Sequence, residues 1–235
     1  MSLTIGRGPL GSHPAGRLNF EPPPRVVLAE PVGRRVRAVR GGETVVDTDD
    51  ALLVHVSDDL PRYALPAKHV HVESAPHPDV DGHVTVEWDA VDAWFEEDER
   101  VLVHPRDPYH RIDTFSTSRR LEVAVNGAQM AESTRTLALH ETGLPVRYYF
   151  PRADVRLDRL VPSDTTSECA YKGSARHWSA RVDDGELIPD IAWSYDDEVR
   201  REGEAVRGRV AFYTERVDLT VDGVAADRPH TPWSR

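Results

Sequence analysis

A repeat within the chain constrains its fold more than any other sequence feature. Residues 34–70 and 119–155 align without a gap at an offset of 85 residues. Nine of the 37 aligned positions are identical: Arg34/Arg119, Arg35/Arg120, Gly42/Gly127, Leu52/Leu137, His55/His140, Arg62/Arg147, Tyr63/Tyr148, Pro66/Pro151 and Val70/Val155. A gapless internal match of this length is typical of a duplicated structural unit. We therefore predict two tandem copies of one module.

The local chemistry of both copies predicts antiparallel β-structure. Alternating apolar residues open each copy, and a Gly-Gly dipeptide at 41–42 or an Asn-Gly dipeptide at 126–127 follows them. Both dipeptides suit type I′ hairpins, which need positive φ at both central residues. Two more strands and an aromatic-proline step at 63–66 or 148–151 complete each copy. We predict a β-meander in each copy, and a mainly β chain of two small antiparallel modules with short helices between strands.

The second halves of the two copies differ. Trp88 aligns with Trp193 at an offset of 105, so the first copy lacks about twenty residues that surround Cys169 in the second. The acidic stretches 96–99 and 198–204 predict short exposed helices. We therefore expect the first copy to be degenerate and shortened, and the second to carry the chemistry.

These observations predict four segments. Residues 1–30 are rich in Gly and Pro and are expected to form a leader that lies over the surface or stays mobile. The degenerate first copy is placed at 31–112 and the complete second copy at 113–224. A C-terminal tail, 225–235, follows.

Composition excludes several classes of protein. Asp and Glu outnumber Lys and Arg 40 to 29, and the net charge of -11 argues against a nucleic-acid binder. A single cysteine cannot form an internal disulfide, so nothing indicates an oxidising compartment. The chain contains no run of 18 apolar residues and no signal-peptide pattern. We expect a soluble, cytoplasmic protein with no membrane or nucleic-acid partner.

The second copy carries a set of motifs in a distinctive order. They are Tyr149-Phe150-Pro151 with Asp154-Val155, Cys169-Ala170-Tyr171-Lys172-Gly173, Trp178-Ser179, Ile191-Ala192-Trp193-Ser194-Tyr195 and Ala211-Phe212-Tyr213. In this order and spacing the chain resembles the domain-of-unknown-function family 427. The resemblance covers 119–224 fully, and the first copy resembles a shortened version of the same domain. Residues 104–109 also resemble the junction in tandem members of the family.

The resemblance implies a small mainly β fold, the "β-tent" of packed antiparallel sheets, and no established activity. Ala170 stands where the family has proline, which loosens the φ preference of that segment. A nucleotidyltransferase label is attached to the family. This chain lacks the Gly-Ser and paired aspartates that such metal-dependent chemistry needs.

Lys172 is the first candidate for chemistry. It lies in a predicted polar-aromatic loop, 163–179, and is followed by Gly173, which lets a ligand approach the backbone. Partial desolvation beside aromatic rings would lower its pKa and make it a base or a Schiff-base amine. The alternative is a surface lysine paired with Asp164 or Glu168.

Cys169 is the second candidate, as a nucleophile or a redox thiol. A lone cysteine is more often a small buried apolar residue. His177 lies eight residues further on, but proximity in sequence does not establish a catalytic pair.

The remaining candidates would form a ligand pocket with aromatic walls. Adjacent aromatic residues on a strand face opposite sides, so one packs the core and the other is free to line a pocket. With a lysine and an arginine as cations, such a pocket would suit a small anionic or planar molecule. The predicted ligand-binding residues are Tyr149, Arg147, Asp164, Tyr171, Gly173, Trp178, Ser179, Trp193, Tyr195 and Tyr213.

Three polar residues of the first copy have the spacing of a metal site, which we do not predict. His69, His71 and Glu73 would share one face of a strand and could form a His-His-carboxylate set. An exposed polar strand edge is the interpretation we favour. We therefore predict no metal, and the sequence identifies no cofactor.

Three functional hypotheses follow. The chain is a small-molecule-binding module with an active second copy, an enzyme that uses Lys172 with Cys169 or a tyrosine, or a scaffold in which the copies serve interaction. We favour binding of a small molecule. Neither the ligand nor the oligomeric state follows from the sequence.

Overall fold

A computed structural model describes residues 3–182, 185–231 and 234. The prediction of a mainly β fold is confirmed, since antiparallel strands account for most of the regular structure. The chain divides into two compact units, the first formed by residues 1–111 and 142–144 and the second by 112–141 and 145–235.

The first unit contains two antiparallel sheets. Its strands are β1 (Val27–Pro31), β2 (Val36–Arg40), β3 (Glu43–Thr48), β4 (Leu52–Val56), β5 (Arg62–Pro66), β6 (Ala75–Pro76), β7 (His83–Thr85), β8 (Ala93–Glu96) and β9 (Glu99–Val101). One sheet has the order β1-β4-β5-β7-β6 and the other β3-β2-β8-β9. Buried residues of both sheets form one core that includes Val36, Val46, Leu65 and Trp94.

The second unit has the same two-sheet plan with a larger first sheet. Its strands are β10 (Ile112–Thr117), β11 (Leu121–Val125), β12 (Ala128–Ser133), β13 (Thr136–Glu141), β14 (Arg147–Phe150), β15 (Leu160–Cys169), β16 (Gly173–Arg181), β17 (Leu187–Ser194), β18 (Val210–Phe212), β19 (Asp218–Val221) and β20 (Val224–Ala225). The larger sheet has the order β10-β13-β14-β18-β17-β16-β15, and the smaller β12-β11-β19-β20.

The helices of the described residues are short 3₁₀ turns. They are Ala67–His69, Trp88–Ala90, Arg152–Asp154, Leu157–Arg159 and Arg201–Val206. None of these approaches the length and apolarity that a membrane-spanning helix needs. The predicted helix at 96–99 is wrong: these residues form the β8–β9 hairpin, where Glu97 adopts a positive φ of 51°. The 3₁₀ turn at Arg201–Val206 does lie in the second acidic stretch.

Corresponding elements of the two units lie 85 residues apart. Strands β2 and β3 correspond to β11 and β12 at this offset, and the turns Ala67–His69 and Arg152–Asp154 do the same. The isolated bridges Val46–Val70 and Ala131–Val155 also match. The type I′ turns predicted at both hairpins are confirmed, because all four central residues have positive φ.

Two details of the predicted repeat are wrong. Neither copy is a meander, because β3 and β4, and likewise β12 and β13, belong to different sheets. The alignment of Trp88 with Trp193 also fails. Leu65 pairs with Val84, whereas Phe150, its counterpart, pairs with Val210. The offset therefore grows from 85 to 126, so the connection from β5 to β7 is shorter than that from β14 to β18 by about forty residues rather than twenty.

The end of the predicted leader is also part of a sheet. Val27–Pro31 forms β1, which pairs along its length with β4. Residues 3–26 hold no strand, and Asp58 accepts hydrogen bonds from the backbone of Gly6 and Ser12. Of the predicted leader, residues 1 and 2 lie outside the described residues, as do 232, 233 and 235 of the predicted tail.

The larger sheet of the second unit buries apolar side chains on both faces. One face contributes Phe150, Ala192 and Phe212 to the main core, together with residues of the smaller sheet. The opposite face carries a second cluster that includes Tyr149, Trp193 and Val206. Phe212 and Tyr213 lie in different clusters, as expected for adjacent residues of a strand. Four of the predicted ligand-binding residues, Tyr149, Trp193, Tyr195 and Tyr213, belong to this second cluster.

Candidate functional site

The predicted loop at 163–179 is a β-hairpin. Strands β15 and β16 pair from Leu160–Ala180 to Cys169–Gly173 and are joined by a turn at 170–172. The sequence did not predict these strands, because the segment is rich in polar and charged residues. Strand β15 lies at the edge of the sheet, and most of its residues are exposed. Edge strands tolerate such composition.

Lys172 lies in the turn of this hairpin and is buried, with 5% of its surface exposed. Its Nζ donates to the carboxylate of Glu141 in a buried ion pair. Burial lowers the pKa of Lys172, but the charge of Glu141, its hydrogen bond and the contributions of Cys169 and Tyr149 together outweigh burial, and the pKa is raised. The expected lowering of the pKa is therefore wrong, and so is the alternative of a surface lysine paired with Asp164 or Glu168, because Lys172 is buried against Glu141.

The aromatic candidates near Lys172 are core residues. Tyr149, Trp193 and Tyr195 are buried in the second cluster of the sheet. The hydroxyl of Tyr149 accepts a hydrogen bond from Trp193 Nε1 at 3.1 Å, and the two rings meet edge to face. Burial raises the pKa of Tyr149 to about 12. Tyr171 is buried as well. We name Lys172, Glu141, Tyr149, Trp193 and Tyr195 the Lys172 cluster.

Gly173 is required by the approach of the protein's own backbone. Its φ is +98°, and a Cβ at this position would overlap the carbonyl oxygen of Glu198. The segment 198–200 is held there because Ser174 N donates to Glu198 O and Arg200 N donates to Lys172 O. The backbone of residues 198–200 therefore occupies the space that we predicted for a ligand beside Gly173.

The other candidates of the hairpin are spread over different surroundings. Cys169 is partly buried and carries a free thiol. Asp164 is exposed on β15. Trp178 faces the main core, and its Nε1 donates to Ser194 Oγ at 3.1 Å. The structure therefore does not bring Asp164 or Trp178 together with the Lys172 cluster.

Arg147, the predicted second cation, is also neutralised by a buried partner. Its guanidinium donates to both carboxylate oxygens of Glu215 at 2.6 Å and to Thr214 Oγ1 at 2.9 Å. It lies over the rings of Trp193 and Tyr213, at 5.6 and 5.9 Å from their centroids. The charge of Arg147 thus meets a carboxylate inside the protein.

His177, considered from the sequence only as a partner of Cys169, lies further along the same face. His177 is 5% exposed and pairs across the sheet with Trp193. Its Nε2 is 2.8 Å from the hydroxyl of Ser167, an exposed residue of β15. Its ring stacks on Tyr213, with centroids 6.2 Å apart and planes at 19°. The exposed edge strand thus leads to a buried imidazole.

Two β-bulges shape this group. The pairing of β15 with β16 shifts at 163–165, and that of β17 with β16 shifts at 189–191. Asp190, at the second bulge, has a positive φ of 48°. Its backbone N donates to Ser179 Oγ, and its carboxylate accepts from Thr165 Oγ1 at 2.8 Å. Bulges and strained backbone of this kind re-aim side chains at functional sites.

Two buried polar atoms of this group lack a hydrogen-bond partner among the described residues. They are Nδ1 of His177 and Oδ1 of Asp190. Burial lowers the pKa of His177, although the charge of Asp190 opposes it. Burial raises the pKa of Asp190, but hydrogen bonds from Ser163 and Thr165 outweigh it and the pKa is lowered. A neutral imidazole therefore lies near an ionised carboxylate. We name His177, Asp190, Ser167, Thr165 and Tyr213 the His177 cluster.

The predicted list contains Tyr213 and Ser179 from this neighbourhood but misses Ser167 and Asp190. Had 163–179 been interpreted as a hairpin with its turn at 170–172, residue 167 would have fallen opposite 175 and diagonal to His177. Asp190, by contrast, depends on a bulge that leaves no mark in the sequence.

The structure does not bring the candidate metal ligands His69, His71 and Glu73 together on one strand. His69 ends a 3₁₀ turn, where its Nδ1 is 2.8 Å from Thr48 Oγ1, and His71 donates its backbone N to Val45 O. The strand expected to align His69, His71 and Glu73 is therefore absent. Among the described residues, no three His, Cys, Asp or Glu side chains are placed to hold a metal ion.

Comparison with known proteins assigns the second unit to a family. No curated protein matches the chain. Residues 113–223 match the model of a family described as a domain of unknown function (DUF427). This segment contains the hairpin and both clusters, which agrees with the motifs found in the sequence. Residues 113–223 therefore belong to the DUF427 family.

Proposed function

We propose that the second unit binds a small, planar and uncharged molecule at the His177 cluster. One observation carries this proposal: within the part of the chain that the structure describes, the buried atoms Nδ1 of His177 and Oδ1 of Asp190 have no hydrogen-bond partner. An unsatisfied buried polar group costs about 1–3 kcal/mol, so each one in a folded protein needs an explanation. A ligand hydroxyl or amide that reaches them makes hydrogen bonds that the protein alone leaves unmade.

The charges around the site favour a neutral ligand over an anion. Both cations expected to bind an anion already face carboxylates, Lys172 with Glu141 and Arg147 with Glu215. The carboxylate of Asp190 would repel a further negative charge. The half-buried ring of Tyr213, stacked on His177, offers an apolar surface for a planar group. We therefore assign Lys172 to the stability of the fold.

The proposal includes a duplication of the module, with the site in one copy. The shared offset of 85 between corresponding strands, turns and bridges supports a common origin of the two units. In the first unit β5 is followed in the sheet by β7 and the two-residue β6. In the second, the corresponding strands are joined by the β15–β16 hairpin at the edge. The site thus depends on strands that distinguish the second copy.

Nuclear magnetic resonance tests the proposed ligand class. Benzamide, phenol and methyl benzoate are titrated, with benzoate as the anionic counterpart. We expect the three neutral compounds to shift the resonances of the His177 ring and the Asp190 amide, and benzoate to bind more weakly. Asp190→Asn should lower affinity about 10–100-fold, the loss of one hydrogen bond to a charged group.

Asp164→Asn is the matched control, because Asp164 is an exposed aspartate of β15 in the same sheet. It should leave the affinities unchanged. Shifts centred on Tyr171 and Lys172 would contradict the proposal and favour the Lys172 cluster. A lack of binding by every compound would favour a scaffold.

A further inference from the structure

The order of groups from the surface inwards suggests a reaction as well as binding. Ser167 is exposed on the edge strand, its hydroxyl is 2.8 Å from Nε2 of His177, and the opposite nitrogen of that ring is buried. Asp190, with one buried and unpaired carboxylate oxygen, is the acidic neighbour of the imidazole. A surface hydroxyl thus contacts a buried imidazole, and a partly exposed aspartate at the neighbouring bulge supplies the carboxylate.

We propose that Ser167 and His177 form a nucleophile–base pair that hydrolyses neutral carboxylic esters with a planar acid or alcohol group. This inference rests on the proposed function, because it places the planar group beside Tyr213. Asp190 is a positioning residue that favours the proton on Nδ1, and leaves Nε2 free to accept from Ser167.

The neutral state of the imidazole suits this role. Burial lowers the pKa of His177, so the ring is uncharged near neutral pH and can accept a proton. If Nε2 accepts from Ser167, the neutral ring must carry its proton on Nδ1. That proton needs an acceptor, and the buried Oδ1 of Asp190 needs a donor. Catalytic hydrogen bonds that are open in a free enzyme often tighten when substrate binds.

The reaction balances with water as the only co-reactant. The Ser167 oxygen attacks the ester carbonyl carbon while its proton passes to Nε2 of His177. The carbon–oxygen bond to the alcohol then breaks, and His177 returns the proton to the departing alcohol oxygen. Water attacks the acyl-serine with its proton taken by His177. The carboxylic acid leaves, and Ser167 regains its hydroxyl hydrogen from His177.

The experiment combines p-nitrophenyl acetate hydrolysis with labelling by a fluorophosphonate, whose site is located by mass spectrometry. We expect the label on Ser167. Ser167→Ala should abolish it, and Ser167→Ala and His177→Gln should each lower kcat/KM about 10²–10⁴-fold. Ser116→Ala, an exposed serine of β10 in the same sheet, should change neither result.

Asp190→Asn separates positioning from a merely structural role. The charge of Asp190 raises the pKa of His177, so its removal should shift the acidic limb of the pH–rate profile to lower pH and reduce kcat more than it changes KM. A variant that only loosened the fold would move the thermal midpoint without moving this limb.

N-methylbenzamide is not hydrolysed on the time scale of the assay. Its binding therefore tests the proposed binding site separately from the proposed hydrolysis. If it binds to wild type and Ser167→Ala alike, but Ser167 is neither labelled nor needed for hydrolysis, the catalytic inference is overturned and the binding site stands. If it fails to bind wild type, the proposed function fails as well.

Discussion

Two polar clusters lie on the same face of the larger sheet, and they differ in how completely they are satisfied. In the Lys172 cluster the ammonium meets Glu141 and the Tyr149 hydroxyl meets Trp193. In the His177 cluster, two buried atoms lack a partner among the described residues. Each contains a buried titratable group, although Ser167 and Thr165 of the His177 cluster are exposed. We therefore look for function at the unsatisfied polar group and not at the buried charge that already has its partner.

The largest expected effect tests the structural role of Lys172. Lys172→Met leaves the Glu141 carboxylate buried without its counter-charge, which should lower the free energy of unfolding by about 3–5 kcal/mol. Urea denaturation followed by tryptophan fluorescence measures the loss. The double variant with Glu141→Leu should recover most of it, because an apolar pair replaces the ion pair.

Lys68→Met is the control, since Lys68 is the other lysine of the chain and is exposed. It should change stability by less than about 0.5 kcal/mol. The contrary result is a Lys172→Met variant that changes the free energy of unfolding as little as Lys68→Met does and abolishes ligand binding. That result would contradict our account, because the Lys172 cluster would then bind the ligand.

A smaller effect is expected from the glycine that follows. Gly173→Ala combines a positive φ with overlap against the Glu198 carbonyl, so it should cost more than the roughly 1–3 kcal/mol of left-handed strain alone. Gly127→Ala has a φ of +82° and open space around it, and should show the strain without the overlap. Equal losses in thermal denaturation of the two variants would show that backbone approach is unimportant at 173.

The dependence of stability on pH tests the His177 cluster. Burial lowers the pKa of His177, so the unfolded chain binds this proton at a higher pH than the folded one. Stability from this group is complete above the ordinary histidine pKa of about 6.5 and falls as pH falls below it. One proton contributes at most about 1.4 kcal/mol per pH unit.

His177→Gln removes this contribution, so its stability should fall less steeply than wild type between pH 7 and pH 5. The comparison is needed because His77 and His104, whose pKa values burial also lowers, add slope of the same sign. Parallel curves for wild type and variant would show that His177 is not the group we describe.

The smallest effect is expected at Asp164, which was predicted to bind ligand and is exposed on β15. Asp164→Ala should change the unfolding free energy by less than about 0.5 kcal/mol and leave ligand affinity unaltered. A tenfold loss of affinity would contradict this prediction and show that the ligand contacts the exposed residues of β15.

The sequence predicted the parts of the fold that depend on local chemistry. Gly41-Gly42 and Asn126-Gly127 specify their hairpins because few other residues accept positive φ at two successive positions. The change of sheet between β3 and β4 was missed, because strand pairing depends on contacts distant in sequence. The hairpin at β15–β16 was missed because an edge strand need not alternate apolar and polar residues.

The candidate site was predicted in region but not in its residues. Tyr213 was identified from its motif, yet the partners of the two cations, Glu141 and Glu215, lie far from them in sequence. Asp190 is placed by a bulge of β17 and Ser167 by the register of the hairpin. The positions of Asp190 and Ser167 relative to His177 depend on how the strands pair in the folded sheet. No local sequence pattern predicts them.

The protonation of the His177 ring tests the central claim most directly. In a ¹⁵N-labelled protein near pH 7, assigned against His177→Gln, we predict a neutral ring with hydrogen on Nδ1 and with Nε2 accepting from Ser167. Asp190→Asn should shift the Nδ1 resonance. A ring with hydrogen on Nε2, or a charged ring, would contradict the account, because His177 could then neither accept the Ser167 proton nor offer Nδ1–H to Asp190 in the neutral state we describe.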